Sequence, residues 1–458
     1  MVSLRILQVV HGFPPRENAG TEQYTAMLSA RLQARGHTVH TFAATVAPGR
    51  PMYSILAQGT THHATTESRD NGVTRIVNNV PGRETRHNGA DSAVDRAFLT
   101  VREQFKPDLI HIQHLAGLSS TLPFGDLPVV WTLHDGWAWC AAGGLQLRAD
   151  ASQAPCDGPN ANCAACTSAW LNDSAGVDRA LSWAQRLAAW VPAEQLHRAW
   201  KTLPQSLRKR VIGQTGQPVS RAQISGRTQA FQRLASRCTV VAPSRFLAER
   251  ATQAGLGTVL VVPHGVDPAA SMATHTAERV EERVKDAPFV FLGTLAAHKG
   301  PDRVRAAWEL AGRPAPLRIH GPVGPDPAFA VENDGTVPHE AVAELLASAR
   351  ALVLGSIWPE NAPLVILEAR AAGCPVIAPD IGGISELVED GVDGWLYPVG
   401  DVAALAERML RPAPRGGNPP PTLDKHVDAM ERIYGDVLAA KGVAWGTPKA
   451  RQKRSQLE

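Results

Sequence analysis

The pattern opens on a mostly apolar run at 4–10, interrupted by Arg5 and Gln8 and short enough for a buried strand. A loop carrying Pro14 and Pro15 closes on Ala19-Gly20-Thr21-Glu22. From 22 to 35 the spacing turns helical, with Tyr24, Met27, Leu28 and Leu32 on one face, until Gly36 stops it. Residues 38–43 read as the next strand. The alternation continues with a helix over 92–104 and strands over 108–112 and 128–133. It lapses between 137 and 236, where a Cys-containing loop precedes helical segments rich in Ala, Trp and Arg. It resumes with a strand at 238–242, a helix at 244–254, a strand at 258–262 and a turn at Pro263-His264-Gly265-Val266-Asp267. A second series of strands follows at 289–292, 317–320, 351–354 and 375–378, and a last helix over 424–441. Strands alternating with helices predict α/β domains, each a parallel sheet covered on both faces.

This organisation predicts a first domain over 1–268, with 137–236 as a Cys-rich loop and basic helical insertion. A second domain covers 269–423, 424–446 is a helix crossing back to the first, and 447–458 is a basic tail. The 458 residues can build sizeable cores without disulfides. No apolar run approaches the ~20 residues of a membrane-spanning helix, and residues 1–20 do not read as a signal peptide. Six cysteines in such a chain fit a reducing cytoplasm.

A net charge of +3 makes no case for a nucleic-acid partner, and none is expected. That average conceals a stretch from 195 to 248 with no Asp or Glu and ten basic residues, including Arg198, Lys201, Arg221, Arg227, Arg233 and Arg237. With Trp183, Trp190 and Trp200 nearby, it reads as basic amphipathic helix at an anionic membrane surface, peripheral on the inner face. The alternatives are a solvated helical insertion and, ranked third, a nucleic-acid-binding surface.

The sharpest chemical feature is the segment from Pro359-Glu360-Asn361-Ala362-Pro363-Leu364 to Glu368, directly after a predicted strand. Asn361 can cap a helix and Pro363 suits its first turn, which sets a helix N-terminus at the C-terminal end of a strand. Open α/β sheets bind ligands there, and N–H groups at such a terminus attract phosphate. Glu360 at the mouth and Glu368 beside the helix suit the two ends of a nucleotide sugar. Spacing alone equally allows a helix with an acidic first turn and one partly exposed Glu.

The run from Glu360 into Leu367-Glu368-Ala369-Arg370-Ala371-Ala372-Gly373-Cys374-Pro375-Val376-Ile377-Ala378 resembles the retaining glycosyltransferases of family 4, which have the GT-B fold. Asp380 to Glu386, Arg35-Gly36-His37, Pro243-Ser244 and 263–267 extend the likeness, which fails over much of 140–236. It implies two Rossmann-like domains facing across a cleft. It also implies that Glu360 binds donor sugar hydroxyls, Glu368 the ribose, and the backbone of Asn361, Ala362, Pro363 and Leu364 the diphosphate. Lys299, in Gly293-Thr294-Leu295-Ala296-Ala297-His298-Lys299-Gly300, would neutralise the leaving diphosphate, so no catalytic metal is expected. Thr294 stands where the family commonly has Arg, leaving His298 or another Arg to replace it. His134, in Thr132-Leu133-His134-Asp135, would touch the sugar near its reacting carbon, Asp135 could act on the acceptor, and Gly20 would let a helix N-terminus approach the diphosphate.

Four cysteines, Cys140, Cys156, Cys163 and Cys166, fall within 27 positions, and only the last pair has zinc-knuckle spacing. The loop between them has little apolar material for a core of its own. Structural zinc, disulfides or free thiols, and an iron–sulfur cluster are the candidate states, with zinc favoured. The likeness implies sugar transfer from a UDP- or GDP-linked donor to a glycan or lipid-linked acceptor in cell-surface polysaccharide synthesis. The rivals are an epimerase or hydrolase of the same fold, and a non-catalytic zinc-stabilised membrane adaptor.

Overall fold

The computed structural model describes residues 3–47, 50–56, 72–78, 89–148, 154–169, 219–267, 287–322, 333–412, 414 and 416–442. The first sheet has eight strands in the order β3-β4-β2-β1-β5-β6-β7-β8. These are β1 (Arg5–Val10), β2 (Thr38–Thr45), β3 (Ile55–Leu56), β4 (Val73–Val77), β5 (Leu109–Ile112), β6 (Val129–Thr132), β7 (Thr239–Ala242) and β8 (Val259–Val261). All neighbours pair in parallel except β3, which runs antiparallel along the outer edge. The central strands are apolar on both faces because both faces are covered. One face packs Phe42, Ile110 and Trp131 against α2 (Ser92–Phe105), α3 (Arg221–Ala235) and α4 (Arg245–Gln253). The other packs Ile6, Leu109 and Val130 against α1 (Gly20–Ala34) and the last helix of the chain.

The second sheet is parallel throughout, in the order β10-β9-β11-β12-β13. Its strands are β9 (Phe289–Leu292), β10 (Leu317–His320), β11 (Ala351–Val353), β12 (Val376–Pro379) and β13 (Gly394–Tyr397). One core lies under α5 (Pro301–Leu310) and α8 (Val402–Leu410), the other under α6 (His339–Ala347) and α7 (Leu364–Ala371).

The chain then returns to the first domain. Helix α9 (Leu423–Ala440) buries Val427, Met430, Tyr434 and Leu438 in the core that also holds Leu4, Tyr24 and Val130. Arg35, just beyond α1, ties the crossing to Asp424, Asp428 and Glu431 at 2.5–2.9 Å, and His37 bonds Glu431 at 2.9 Å.

Helix α1 begins at Gly20, two residues earlier than the periodicity of its apolar face indicates, so Gly20 belongs to its first turn. The short edge strand β3 and its neighbour β4 carry no pattern that the sequence displays. Most of the basic insertion, its three tryptophans and the 447–458 tail lie outside the described residues, as does much of the interdomain connection. Arg227, counted with the basic surface, points inward instead. It is 1% exposed, donates to the carbonyls of Ala138 (3.0 Å) and Trp137, and stacks on Trp137 and Phe231. Two carbonyls and two aromatic rings surround the guanidinium, which is how a charge is tolerated in the core.

Arg227→Ala strips two buried carbonyls of their donor and removes the stacked side chain, a cost of roughly 3 kcal/mol. Differential scanning fluorimetry should show the thermal midpoint falling by about 5–10 °C; an unchanged midpoint would place this residue on the surface after all.

Candidate active site

In a parallel sheet every strand delivers its C-terminal end to the same edge, so the residues following the strands converge. In the first domain these are His11 after β1, Gln113 and His114 after β5, His134 and Asp135 after β6, Ser244 after β7, and His264 after β8. In the second they are the turn bearing Lys299 after β9, the loop 354–363 after β11, and Asp380 to Gly383 after β12. The two edges meet.

Glu360 is 4% exposed. Its carboxylate accepts from Lys299 Nζ at 2.7 Å and from the Ser356 hydroxyl. Burial alone pushes this carboxyl up, but Lys299 and Ser356 outweigh it and hold it below the ordinary value, ionised at neutral pH. Lys299 Nζ also sits 5.0 Å from the Trp358 ring. Gly300 lets the lysine turn lie against the glutamate loop: its φ is +65°, and a Cβ there would stand 2.0 Å from Gly355 O. The opposite side of the loop is held by Gly383, whose N–H donates to Glu360 O at 2.7 Å and where a Cβ would meet Asn361 O at 1.6 Å.

Asn361 does not cap a helix. Helix α7 starts at Leu364 with Pro363 in the capping position and no side-chain cap. The Asn361 amide is drawn across the cleft: its oxygen accepts from Ser244 Oγ (2.5 Å) and its nitrogen donates to His134 O (3.3 Å). Ser244 in turn caps α4, and Glu386 accepts from the N–H groups of Arg245 and Phe246 at 2.9 and 2.6 Å. Leu364 packs on the first domain's core, while Ala362 and Pro363 stay half-buried at the mouth. Only half of the span from Glu360 to Glu368 is therefore helical. Glu368 lines a small pocket with Met27, Asp267 and His339, lies 3.8 Å from His339 Nδ1, and is pushed up by burial against the weaker pull of that imidazole.

His134 Nε2 lies 2.9 Å from Gln113 Oε1, and the Gln113 amide nitrogen donates to Gln8 Oε1 at 2.9 Å. An amide oxygen can only accept, so His134 donates through Nε2. Burial pushes its pKa down to about 3, with His114 adding to the effect and Asp135 opposing, so the ring is neutral. Its ring stacks on His264 at 5.6 Å and meets the Tyr24 edge at 4.9 Å. Asp135 engages His114 Nε2 at 3.4 Å and accepts from Trp137 N at 2.8 Å. Beside them His11 bonds Glu22 at 3.0 Å. Burial lowers the His11 pKa, but Glu22, Asp135 and Glu17 more than reverse it, while Glu22 falls to about 2. Gly20 heads α1 with open space where a Cβ would be.

His298 does not replace the cation missing at Thr294. Burial first, then Lys299, push it down to about 4, so it is neutral at pH 7. Arg303 reaches the same turn, donating to Ala297 O at 3.1 Å. The sequence reading also missed Gln113, His114, Ser356 and the Asn361 side chain as site residues. The first two were accessible by the strand-end rule that singled out His134, because they follow β5 as His134 follows β6.

Cys140, Cys156, Cys163 and Cys166 line one cavity of about 380 Å³, and none forms a disulfide. Burial pushes the Cys140 thiol up to about 11. Cys238 and Cys374 pack in the cores of the two domains.

Removing Lys299 leaves Glu360 buried without its cation, a cost of roughly 2–3 kcal/mol at neutral pH. In the wild type the lowered carboxyl pKa contributes stability above about pH 4.3 that is lost on acidification. In Lys299→Ala burial dominates and the pKa rises, so the variant recovers as acid protonates Glu360. Thermal midpoints should therefore differ by about 5–10 °C at pH 7.5 and draw together as the pH falls, closing only below about pH 4.3 where the wild-type carboxyl is protonated too; a gap independent of pH would contradict the pairing.

Comparison with known proteins agrees with this geometry. A family model described as Glycosyltransferase Family 4 matches residues 19–170, and one described as Glycosyl transferases group 1 matches 286–412. The amylovoran biosynthesis glycosyltransferase AmsK of Erwinia amylovora is 39% identical over 82 residues, which is 17% of this chain and 20% of that protein. The D-inositol 3-phosphate glycosyltransferase of Mycobacterium bovis is 32% identical over 160 residues, 30% of this chain and 32% of that one. The chain thus spans between a fifth and a third of the length of these curated relatives. Sucrose-phosphate synthase from Thermosynechococcus elongatus shares the fold with a TM-score of 0.61 at 17% identity, covering 95% of this chain and 100% of that one. Anabaena HepE, solved with UDP and glucose, gives 0.53 at 16% identity, covering 94% and 99%. With glycosyltransferase family models matching in both domains, and two parallel-sheet domains facing as in these neighbours, the chain belongs to the family 4-like glycosyltransferases of the GT-B fold.

Proposed function

We propose that the chain transfers a hexose from a UDP- or GDP-linked donor to a glycan or lipid-linked acceptor, with retention, in cell-surface polysaccharide synthesis. The observation that carries this reading is the buried Glu360–Lys299 pair, set across the cleft from His134 and joined to it through Asn361. An ionised Glu360 can only accept, which suits sugar hydroxyls. An ammonium has three donors; one serves Glu360, and the others serve the departing diphosphate. The N-terminus of α7 and the open start of α1 at Gly20 offer N–H groups to the same phosphates. In this reading Lys299 and these groups supply the charge that a metal ion supplies in other transferases.

The anomeric C–O bond breaks with its electron pair passing to the diphosphate oxygen, and the anomeric carbon takes on oxocarbenium character. The acceptor oxygen attacks from the same face, and its proton passes to the departing diphosphate. The uncharged ring of His134 lies beside the sugar without adding positive charge to a centre that is already cationic. The role of HepE's UDP and glucose and the polysaccharide names of the relatives support the donor and acceptor classes. Retention rests on the likeness of sequence.

Glu360→Ala should reduce transfer by at least about 10³-fold with an unchanged fold by circular dichroism, since it removes a charged group from sugar recognition. Turnover close to wild type would remove Glu360 from the donor site. A thermal-shift panel of UDP, GDP, ADP and their sugars should give one base that stabilises the wild type; product formed only with acceptor separates transfer from hydrolysis.

Membrane contact of the basic stretch is part of the same proposal. No helix among the described residues is long and apolar enough to cross a membrane. Full-length protein should float with phosphatidylglycerol vesicles at moderate salt, and the loss should follow rising ionic strength. Absence of co-flotation at low salt would refute it.

A further inference from the structure

Three local devices gather the cysteines of the 137–169 segment. A turn closes on Cys140, whose N–H donates to Gly136 O at 2.7 Å. A bridge between Leu147 and Pro155 folds the next stretch back, and Cys156 N donates to Gln146 O at 2.7 Å. The helical turn over 163–169 then sets Cys163 and Cys166 three positions apart, on one face.

All four thiols border the same cavity of about 380 Å³. Asn160 stands between two of them: its backbone N–H donates to Cys163 Sγ at 3.1 Å and its amide to Cys156 Sγ at 3.7 Å. These contacts hold the two sulfurs at the same stretch of the cavity wall. Arg148, on the cavity wall, adds positive charge. Trp137, Ala138 and Trp139 root the start of the segment in the first domain's core, but beyond Cys140 its apolar support is slight: Ala141, Val219 and Ile224, with Cys163 and Ala164 beside them. Such a loop needs something other than a core to fix it.

We propose that Cys140, Cys156, Cys163 and Cys166 bind a structural zinc ion. Four thiolates suit Zn²⁺ in tetrahedral coordination at ~2.3 Å. Four thiols lose four protons and donate four sulfur lone pairs, giving a site of net charge −2 that Arg148 partly offsets. Among the described residues no three His, Cys, Asp or Glu side chains already stand as a ligand shell. Binding therefore draws the thiols inward from the cavity wall, and the ion's affinity becomes folding energy for the loop. The loop abuts the catalytic cleft: a Cβ on Gly144 would lie 2.9 Å from Trp137 N and 3.1 Å from the Asp135 carboxylate. Zinc thus fixes the wall beside Asp135 and takes no part in bond breaking.

The test uses full-length protein purified without chelator or affinity metal. Elemental analysis should give about one zinc per chain, released when the thiols are modified. Cys163→Ser with Cys166→Ser should lose at least about tenfold of that content, whereas Cys238→Ser should keep it. Independently of any variant, chelation of the wild type should speed proteolysis within 140–169, and added zinc should restore resistance. Zinc far below stoichiometry, iron with visible absorption, or disulfides among the four cysteines in native mass spectrometry would each overturn the assignment.

Discussion

The cleft depends on one buried ion pair. Glu360 lies where its own desolvation would neutralise it, and the Lys299 ammonium at 2.7 Å, with Ser356, keeps it ionised. The pair belongs to two different strand-end loops, after β9 and β11, so it also sets their separation. Backbone contacts that only glycine allows, at Gly300 and Gly383, bring the loops close enough for it to form. Asn361, the next residue, then reaches the first domain at His134 and Ser244. Charge, loop packing and domain apposition thus meet within two consecutive residues.

Across the cleft the first domain presents polar groups of a different kind. His134 and His111 are held neutral by burial, each pushed down to about 3, and are fixed by Gln113, Thr132 and Tyr434. Tyr434 belongs to α9, the segment that follows the second domain in the chain. The last helix therefore does more than cover a sheet face. It supplies a hydroxyl to the layer beneath His134, so the far end of the chain helps set the floor of the site.

The alternation of apolar runs and helical spacing was enough to read both sheets' central strands, since a strand buried on both faces leaves a run of the type at 4–10. The edge strand β3 and its neighbour β4 were not legible: two and five residues with mixed polarity carry little periodicity. Glu360 and His134 were legible because each follows a strand, and Lys299 only through the family likeness of 293–300. The direction of the Asn361 side chain was not, because capping and cross-cleft bonding call for the same residue type and only tertiary contacts decide between them. Arg227 misled for a similar reason. Its charge reads as surface in one dimension, and only the fold reveals two carbonyls and two aromatic rings waiting for a guanidinium.

The central claim is that a nucleotide sugar lies between Glu360 and His134 with its diphosphate on Lys299. A crystal structure of the full-length chain with an intact, non-transferable donor analogue tests it most directly. The account predicts sugar hydroxyls on the Glu360 carboxylate, phosphate oxygens on Lys299 and the N-terminus of α7, and the anomeric carbon beside His134. A donor bound elsewhere, with the Glu360–Lys299 pair untouched by ligand, would contradict it.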